Sequence, residues 1–188
     1  MNSLVARKAL PSDITNILKV QSFYLYKLNK NLNGKTGLIN NEITSKELEQ
    51  AIENDNCIVM VLEDNNTKMI TAYALCYSFT CIFDQKTELI QELEKNMFLF
   101  EKQKSLLIEH IVVQSNNGAV KLLEALYNEG KDRFDHVYGE IMRYPIENII
   151  SKRFFTVLKG KIVGETRYDD NTIWNIVYSP VQNIPFRN

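Results

Sequence analysis

The sequence predicts a mixed α/β fold, and three observations predict it. An apolar, β-branched run from Leu106 to Val113 passes through a polar stretch, Gln114 to Gly118, into an amphipathic helix. Strand-like and helix-like segments then alternate along the chain without an internal repeat or a linker. The length, 188 residues, fits one domain spanning 1–188 with a sizeable core.

Taken in order, Val5 to Ala9 reads as a short strand. Pro11-Ser12-Asp13 opens a helix to about Asn29, with Ile14, Ile17, Leu18 and Gln21 on one side. Asn29 to Asn41, with Gly34 and Gly37, is a loop. Thr44 and Glu47 have capping-box spacing, which predicts a second helix over Ser45 to Asn54. Cys57 to Glu63 and Met69 to Phe79 are β-rich runs joined by the turn signal Asp64-Asn65-Asn66-Thr67. The charged stretch Asp84 to Gln103 is helical, with an apolar side of Leu89, Ile90, Leu93, Met97, Phe98 and Phe100. The strand and helix of the opening observation follow, the helix reaching about Lys131. His136 to Met142 is a strand and Ile146 to Leu158 a helix. Lys161 to Tyr168 and Thr172 to Tyr178 form a hairpin turning at Asp169-Asp170-Asn171.

Composition narrows the functional classes. A net charge of −1 argues against a nucleic-acid partner, which calls for a basic stripe. No run approaches the length of a membrane span. The opening residues, followed by Pro11, Ser12 and Asp13, lack the apolar core of a signal peptide. Cys57, Cys76 and Cys81 have no metal-like spacing, so reduced, buried thiols in a cytoplasmic protein are expected, and no metal.

The tight passage from strand to helix aims backbone N–H groups at one spot, which also feels the positive end of the helix dipole and so suits a phosphate. Glu109 lies on the same strand just before it. A phosphate cradle beside a carboxylate suggests an enzyme that holds a phosphorylated co-substrate next to a proton acceptor. The alternative is an ordinary αβ unit in which Gly118 merely starts the helix.

Gln114-Ser115-Asn116-Asn117-Gly118-Ala119 resembles the Gln/Arg-x-x-Gly-x-Gly/Ala loop of the GNAT superfamily of N-acetyltransferases, with Asn117 in place of the first glycine and a shorter approach from the strand. Ala6-Arg7-Lys8-Ala9 with Pro11-Ser12-Asp13-Ile14, Thr71 to Cys76, Pro145 with Asn148 and Ser151, and Trp174 to Val177 resemble further landmarks of that superfamily in the same order. The resemblance implies a mixed, mostly antiparallel central sheet flanked by helices, with a helical insertion between the third and fourth strands. It implies acetyl-CoA as co-substrate, a primary amine of a small molecule or peptide as acceptor, and often a homodimer.

Residue by residue, the resemblance implies that Gln114, Asn116, Asn117, Gly118 and Ala119 hold the pyrophosphate. The backbone of Ile111, Val112 and Val113 would bond the pantetheine arm, with Asn148, Ser151 and Phe155 near it. Glu109 is the expected base, through water, with His110 as the other candidate. Strand alternation predicts that these two side chains face opposite sides of the sheet. His110 is equally readable as a buried strand histidine, and Asn148 as a helix cap. The superfamily often has a tyrosine at the place of Phe155, as the acid that protonates the departing thiolate. Phe155 has no proton to give, and Tyr144 and Tyr138 are the neighbouring hydroxyls. The alternative function is a catalytically reduced module of the same fold that binds CoA, another ligand or a protein partner without turnover.

Overall fold

The computed structural model describes residues 3–25, 28, 39–81, 87–96, 100–114 and 116–184. Seven strands form one sheet: β1 (Leu4–Lys8), β2 (Cys57–Asp64), β3 (Ile70–Ser78), β4 (Ser105–Val113), β5 (His136–Tyr144), β6 (Lys161–Arg167) and β7 (Ile173–Pro180), in spatial order β1-β2-β3-β4-β5-β7-β6. Neighbours are antiparallel except β4 and β5, which are parallel and joined through a helix. The helices are α1 (Ile14–Tyr24), α2 (Ser45–Glu53), α3 (Thr87–Asn96), α4 (Asn116–Gly130) and α5 (Ile149–Val157).

Local chemistry sets several of these boundaries. At α2, Glu47 N–H donates to Thr44 Oγ1 at 3.3 Å and Thr44 N–H donates to Glu47 Oε2 at 2.7 Å, the capping box that the spacing predicts. Asp64 Oδ1 accepts from Asn66 N–H at 2.8 Å and folds the β2–β3 turn. The α1 helix stops at Tyr24, short of Asn29, because Leu25 turns extended, is buried and bridges Ile39. Gln21 then clamps the returning segment: its Nε2 donates to Ile43 O and its Oε1 accepts from Ile43 N–H, both at 3.1 Å.

The sheet separates two apolar layers. On one face α4 and α5 pack through Leu122, Leu126, Phe155 and Leu158 onto Met60, Ala74, Ile108 and Val177. On the other face α1 and α2 pack Ile17 and Leu48 against Val61, Tyr73 and Val112. Next to them, α3 buries Leu89 and Leu93 against Phe79, Leu107, Tyr138 and Ile176. The apolar side of α3 is thus covered by this chain at Leu89 and Leu93, and a twin chain is not needed there. Phe100 joins the same layer, edge-on to Phe79 and Tyr138, whereas Met97 and Phe98 lie outside the described residues.

Strand β4 changes face part-way. Leu75 pairs with His110 but Cys76 pairs with Ile108, so Glu109 is an extra residue opposite that step, a β-bulge. Before it, Leu106 and Ile108 point to the α4 side; after it, Ile111 and Val113 do. The expectation that Glu109 and His110 face opposite sides is therefore corrected. The bulge interrupts alternation and leaves both on the face of α1 and α2.

Arg7 ties the first strand to the first helix. It bonds Asp13 through Nη1 at 2.7 Å and Nη2 at 3.0 Å, and Glu63 Oε2 through Nε at 2.9 Å. Burial alone would raise the Asp13 carboxyl, but the bonds from Arg7 and from Leu10 N–H outweigh it and hold it below its ordinary value. Hydrogen bonds from Arg7 and Lys68 lower Glu63 as well. A carboxyl depressed in the folded state adds stability above its unfolded value and loses it as pH falls. Unfolding free energy should accordingly drop as pH is lowered from about 4.5, the unperturbed Glu value. In Asp13→Asn the drop should be shallower and stability at neutral pH lower, as read from urea titrations across that range.

Candidate functional site

Strands β4 and β5 hydrogen-bond only from Ser105↔His136 to Ile108↔Gly139. Beyond that register the two strands continue to Val113 and Tyr144 without pairing to each other, so a splay opens at Glu109. The other edge of β4 stays bonded, Ala74 to Ile111 and Ala72 to Val113. The β5 side of β4 at Ile111 to Val113 thus lines the splay.

The Glu109 side chain projects toward the α1–α2 side, where Asn41 Nδ2 donates to its Oε1 at 3.2 Å. Beside it Tyr73 OH and His110 Nδ1 are hydrogen-bonded at 3.1 Å, both residues buried. Burial, and after it the charges of Tyr77 and Glu109, pushes the Tyr73 phenol far above its ordinary value. Burial and then Glu109 do the same to Tyr77. Both therefore stay protonated hydroxyls at neutral pH. Glu109 and His110, the two expected base candidates, are brought together. His110 is the more enclosed of the two, within the sheet layer, while Glu109 is half-buried at the mouth of the splay.

At the end of β4 the chain turns at once. Gln114 N–H donates to Thr71 O at 3.1 Å, and α4 begins at Asn116. The loop is shorter than predicted: Asn116, Asn117 and Gly118 form the first turn of α4 instead of preceding it. The first four N–H groups of a helix have no partner within it, so Asn116 to Ala119 present donors beside the splay. Gly118 is buried and Gln114 exposed. Ser115 and the side chains of Asn116 and Asn117 lie outside the described residues.

The remaining predicted residues are less central. Asn148 caps α5, its Oδ1 accepting from Ser151 N–H at 3.2 Å while its own N–H donates to Met142 O at 2.9 Å. Tyr144 ends β5 and is more than half exposed. Tyr138 is buried with Phe79 and Phe100, on the α3 side. Asn41 was invisible in the sequence, since a loop asparagine 68 residues from Glu109 carries no local signal. Among the described residues, no group of three or more His, Cys, Asp and Glu is placed to hold a metal ion. No described helix is long and apolar enough to cross a membrane.

No protein-family model and no curated protein sequence matches the chain. Solved structures do. The Salmonella typhimurium protein yncA, whose structure holds its cofactor acetyl-CoA, superposes with a TM-score of 0.64 at 14% identity, over 96% of this chain and 95% of that one. An N-acetyltransferase of Staphylococcus aureus Mu50 gives 0.64 at 15% identity, over 95% and 98%. An acetyltransferase of the GNAT family from Streptococcus agalactiae gives 0.63 at 13% identity, over 94% and 95%. The chain has the GNAT fold.

Within that GNAT sheet, Phe155 packs over Gly139 and Gly160 in the α4–α5 layer. A Cβ built on Gly139 would collide with Phe155 Cζ, so the para position of the ring faces β5 at contact distance. Phe155→Tyr should therefore crowd the layer and lower the unfolding free energy by about 1–3 kcal/mol, read from urea denaturation. Unchanged stability would show that the para position opens to the splay.

Proposed function

We propose that this protein is an acetyl-CoA-dependent N-acetyltransferase that moves an acetyl group to a primary amine of a small molecule or peptide by direct transfer. One observation carries the reading. The splay of β4 and β5 starts at a bulged carboxylate, Glu109, and β4 then runs straight into the N-terminus of α4. Acetyl-CoA supplies the acetyl group as a thioester. Its pyrophosphate suits the N–H groups of Asn116 to Ala119 and the positive end of the α4 dipole. Its pantetheine arm suits the unpaired edge of Ile111 to Val113, where a backbone N–H can polarise the thioester carbonyl. Glu109 accepts the amine proton, directly or through one water, with Asn41 orienting its carboxylate. His110, held by Tyr73, is a neighbour that shapes the pocket. The thiolate takes its proton from solvent, since Phe155 has none to give. The presence of acetyl-CoA in the similarly folded yncA supports this donor.

The buried Phe155 favours a second reading, a module of this fold that binds CoA without turnover. In that case calorimetry would show acetyl-CoA binding while no amine released free thiol. The absence of binding would remove both readings.

Two variants test the roles. Ala119→Asp places a like charge and extra bulk against the pyrophosphate and should weaken CoA binding strongly, whereas Asn117→Ala should do little because the donors are backbone. A calorimetric titration with equal affinities for wild type and Ala119→Asp would rule out this placement.

Glu109→Gln should keep acetyl-CoA affinity while turnover falls about a hundred- to ten-thousand-fold and the acidic limb of the pH–rate profile is lost. His110→Ala should reduce turnover less. Steady-state thiol release on an amine panel checks both, and the reverse order of effects would exchange the two roles.

A further inference from the structure

The three thiols occupy different settings. The sequence predicts buried ones, yet only Cys76 is buried, and Cys57 and Cys81 are half-buried. Cys76 stands opposite Ile58 in the β2–β3 register, and both belong to the layer under α4. Cys57, one residue earlier on β2, packs on the opposite face with α1 and α2. Cys81 follows β3, on a turn that its own N–H closes by donating to Ser78 O at 2.9 Å.

Local bonds bring Cys81 back to Cys57. Ser78 N–H donates to Asn56 O at 3.0 Å, which sets the exit of β3 against the start of β2. Asn54, which ends α2, then holds both cysteines. Its carbonyl accepts from Cys57 N–H at 2.9 Å, and its Nδ2 donates to Cys81 Sγ at 3.7 Å. The Asn54 side chain is itself fixed, because its Oδ1 accepts from Asn56 N–H at 2.9 Å. Thr80 Oγ1 lies 3.8 Å from the Cys81 sulfur. The two thiols are hydrogen-bonded to each other, and burial, then the Cys81 sulfur, pushes the Cys57 thiol up to about 12. On its other side Cys57 borders a cleft of about 450 Å³ that Lys8 and Arg133 also line, so small solutes reach it.

We propose that Cys57 and Cys81 form a thiol–disulfide exchange site, closing reversibly into an intrachain disulfide at the expense of a low-molecular-weight disulfide. Cys81 attacks first, since the Asn54 amide donates to its sulfur and so favours the thiolate. The Cys81 thiolate attacks one sulfur of the small disulfide and expels the other as a thiolate, leaving a mixed disulfide on Cys81. Cys57 gives its proton to solvent, and its sulfur attacks the Cys81 sulfur and expels the second small thiolate. Two protein thiols are oxidised, one small disulfide is reduced, and the expelled thiolates take up the two protons. The bond fastens the exit of β3, which leads to α3, to the start of β2 and the end of α2. Cys76, buried on the other face, takes no part. The site lies at the end of β2 and β3 away from the splay and does not depend on the transferase reading.

The test equilibrates the full chain, reduced and desalted, with oxidised glutathione under native conditions. Alkylation in denaturant and peptide mapping without reduction then read the thiols. Two of the three thiols should be lost, with Cys57 joined to Cys81 within one chain, Cys76 alkylated, and all three restored by dithiothreitol. In urea the pairing should lose this selectivity, because every thiol is then open to exchange. Cys57→Ser should halt at a glutathione adduct on Cys81. In Cys81→Ser the adduct on Cys57 should form on the order of tenfold more slowly, or slower still, because its thiol stays protonated. Thermal unfolding confirms that both variants are folded. Three free thiols in wild type, a lasting glutathione adduct without closure, a disulfide between chains, or the same selectivity in urea would overturn the proposal. Equal adduct rates in the two variants would overturn the order of attack.

Discussion

One extra residue in β4 governs the arrangement of the site. With Glu109 inserted opposite the step from Leu75 to Cys76, the strand keeps its bonds to β3 on both sides of the bulge but reverses which side chains face α4. The pairing of β4 with β5 ends at the residue before it. A bulge adds local twist and bend to the strand that carries it, and here strand separation and bulge coincide. A backbone edge is thereby exposed in the middle of a sheet, where buried N–H and C=O groups otherwise demand partners. In the proposed reading, a pantetheine arm meets that demand.

Around the splay, backbone and side chains divide the work. In the proposed reading the α4 N-terminus and the β5-side edge of β4 at Ile111 to Val113 offer backbone donors whose positions follow from the chain path alone. In the proposed reaction proton handling falls to side chains, and these come from elsewhere: Glu109 from the bulge, Asn41 from the segment clamped by Gln21, and Tyr73 from β3. On the far side of the sheet, Gly139 leaves space that Phe155 fills. That ring belongs to the layer supporting β5. Its lack of a hydroxyl is thus a packing property as well as a chemical one.

The helix α3 closes the second half of the sheet. Leu89 and Leu93 cover Tyr138 and Ile176, and Gly164 on β6 sits against Glu92 and Ile176, which keeps helix and strand close. Without this cover the β5–β7–β6 end would expose aromatic surface beside the site. Along the same hairpin, Thr166 and Tyr168 donate to the Glu140 carboxylate.

The sequence by itself determined what is decided among near neighbours. The capping box of Thr44 and Glu47 and the turn at Asp64 each depend on a few adjacent residues and are where the residue pattern puts them, and the passage from β4 into α4 is there too, with a shorter loop because Asn116 to Gly118 join the helix. The candidate base, Glu109, was readable as well, because a carboxylate near the end of that strand is a local fact. Which face it takes was not. Alternation predicts opposite faces for Glu109 and His110, and the bulge cancels that rule through a register with β3 more than thirty residues earlier. Likewise the approach of Asn41 to Glu109, the fixing of Glu140 by Tyr168, and the seat of Phe155 over Gly139 join residues far apart in the chain. Such contacts exist only once the sheet has set its register, because strand pairing fixes the face of each side chain through partners that local sequence does not contain.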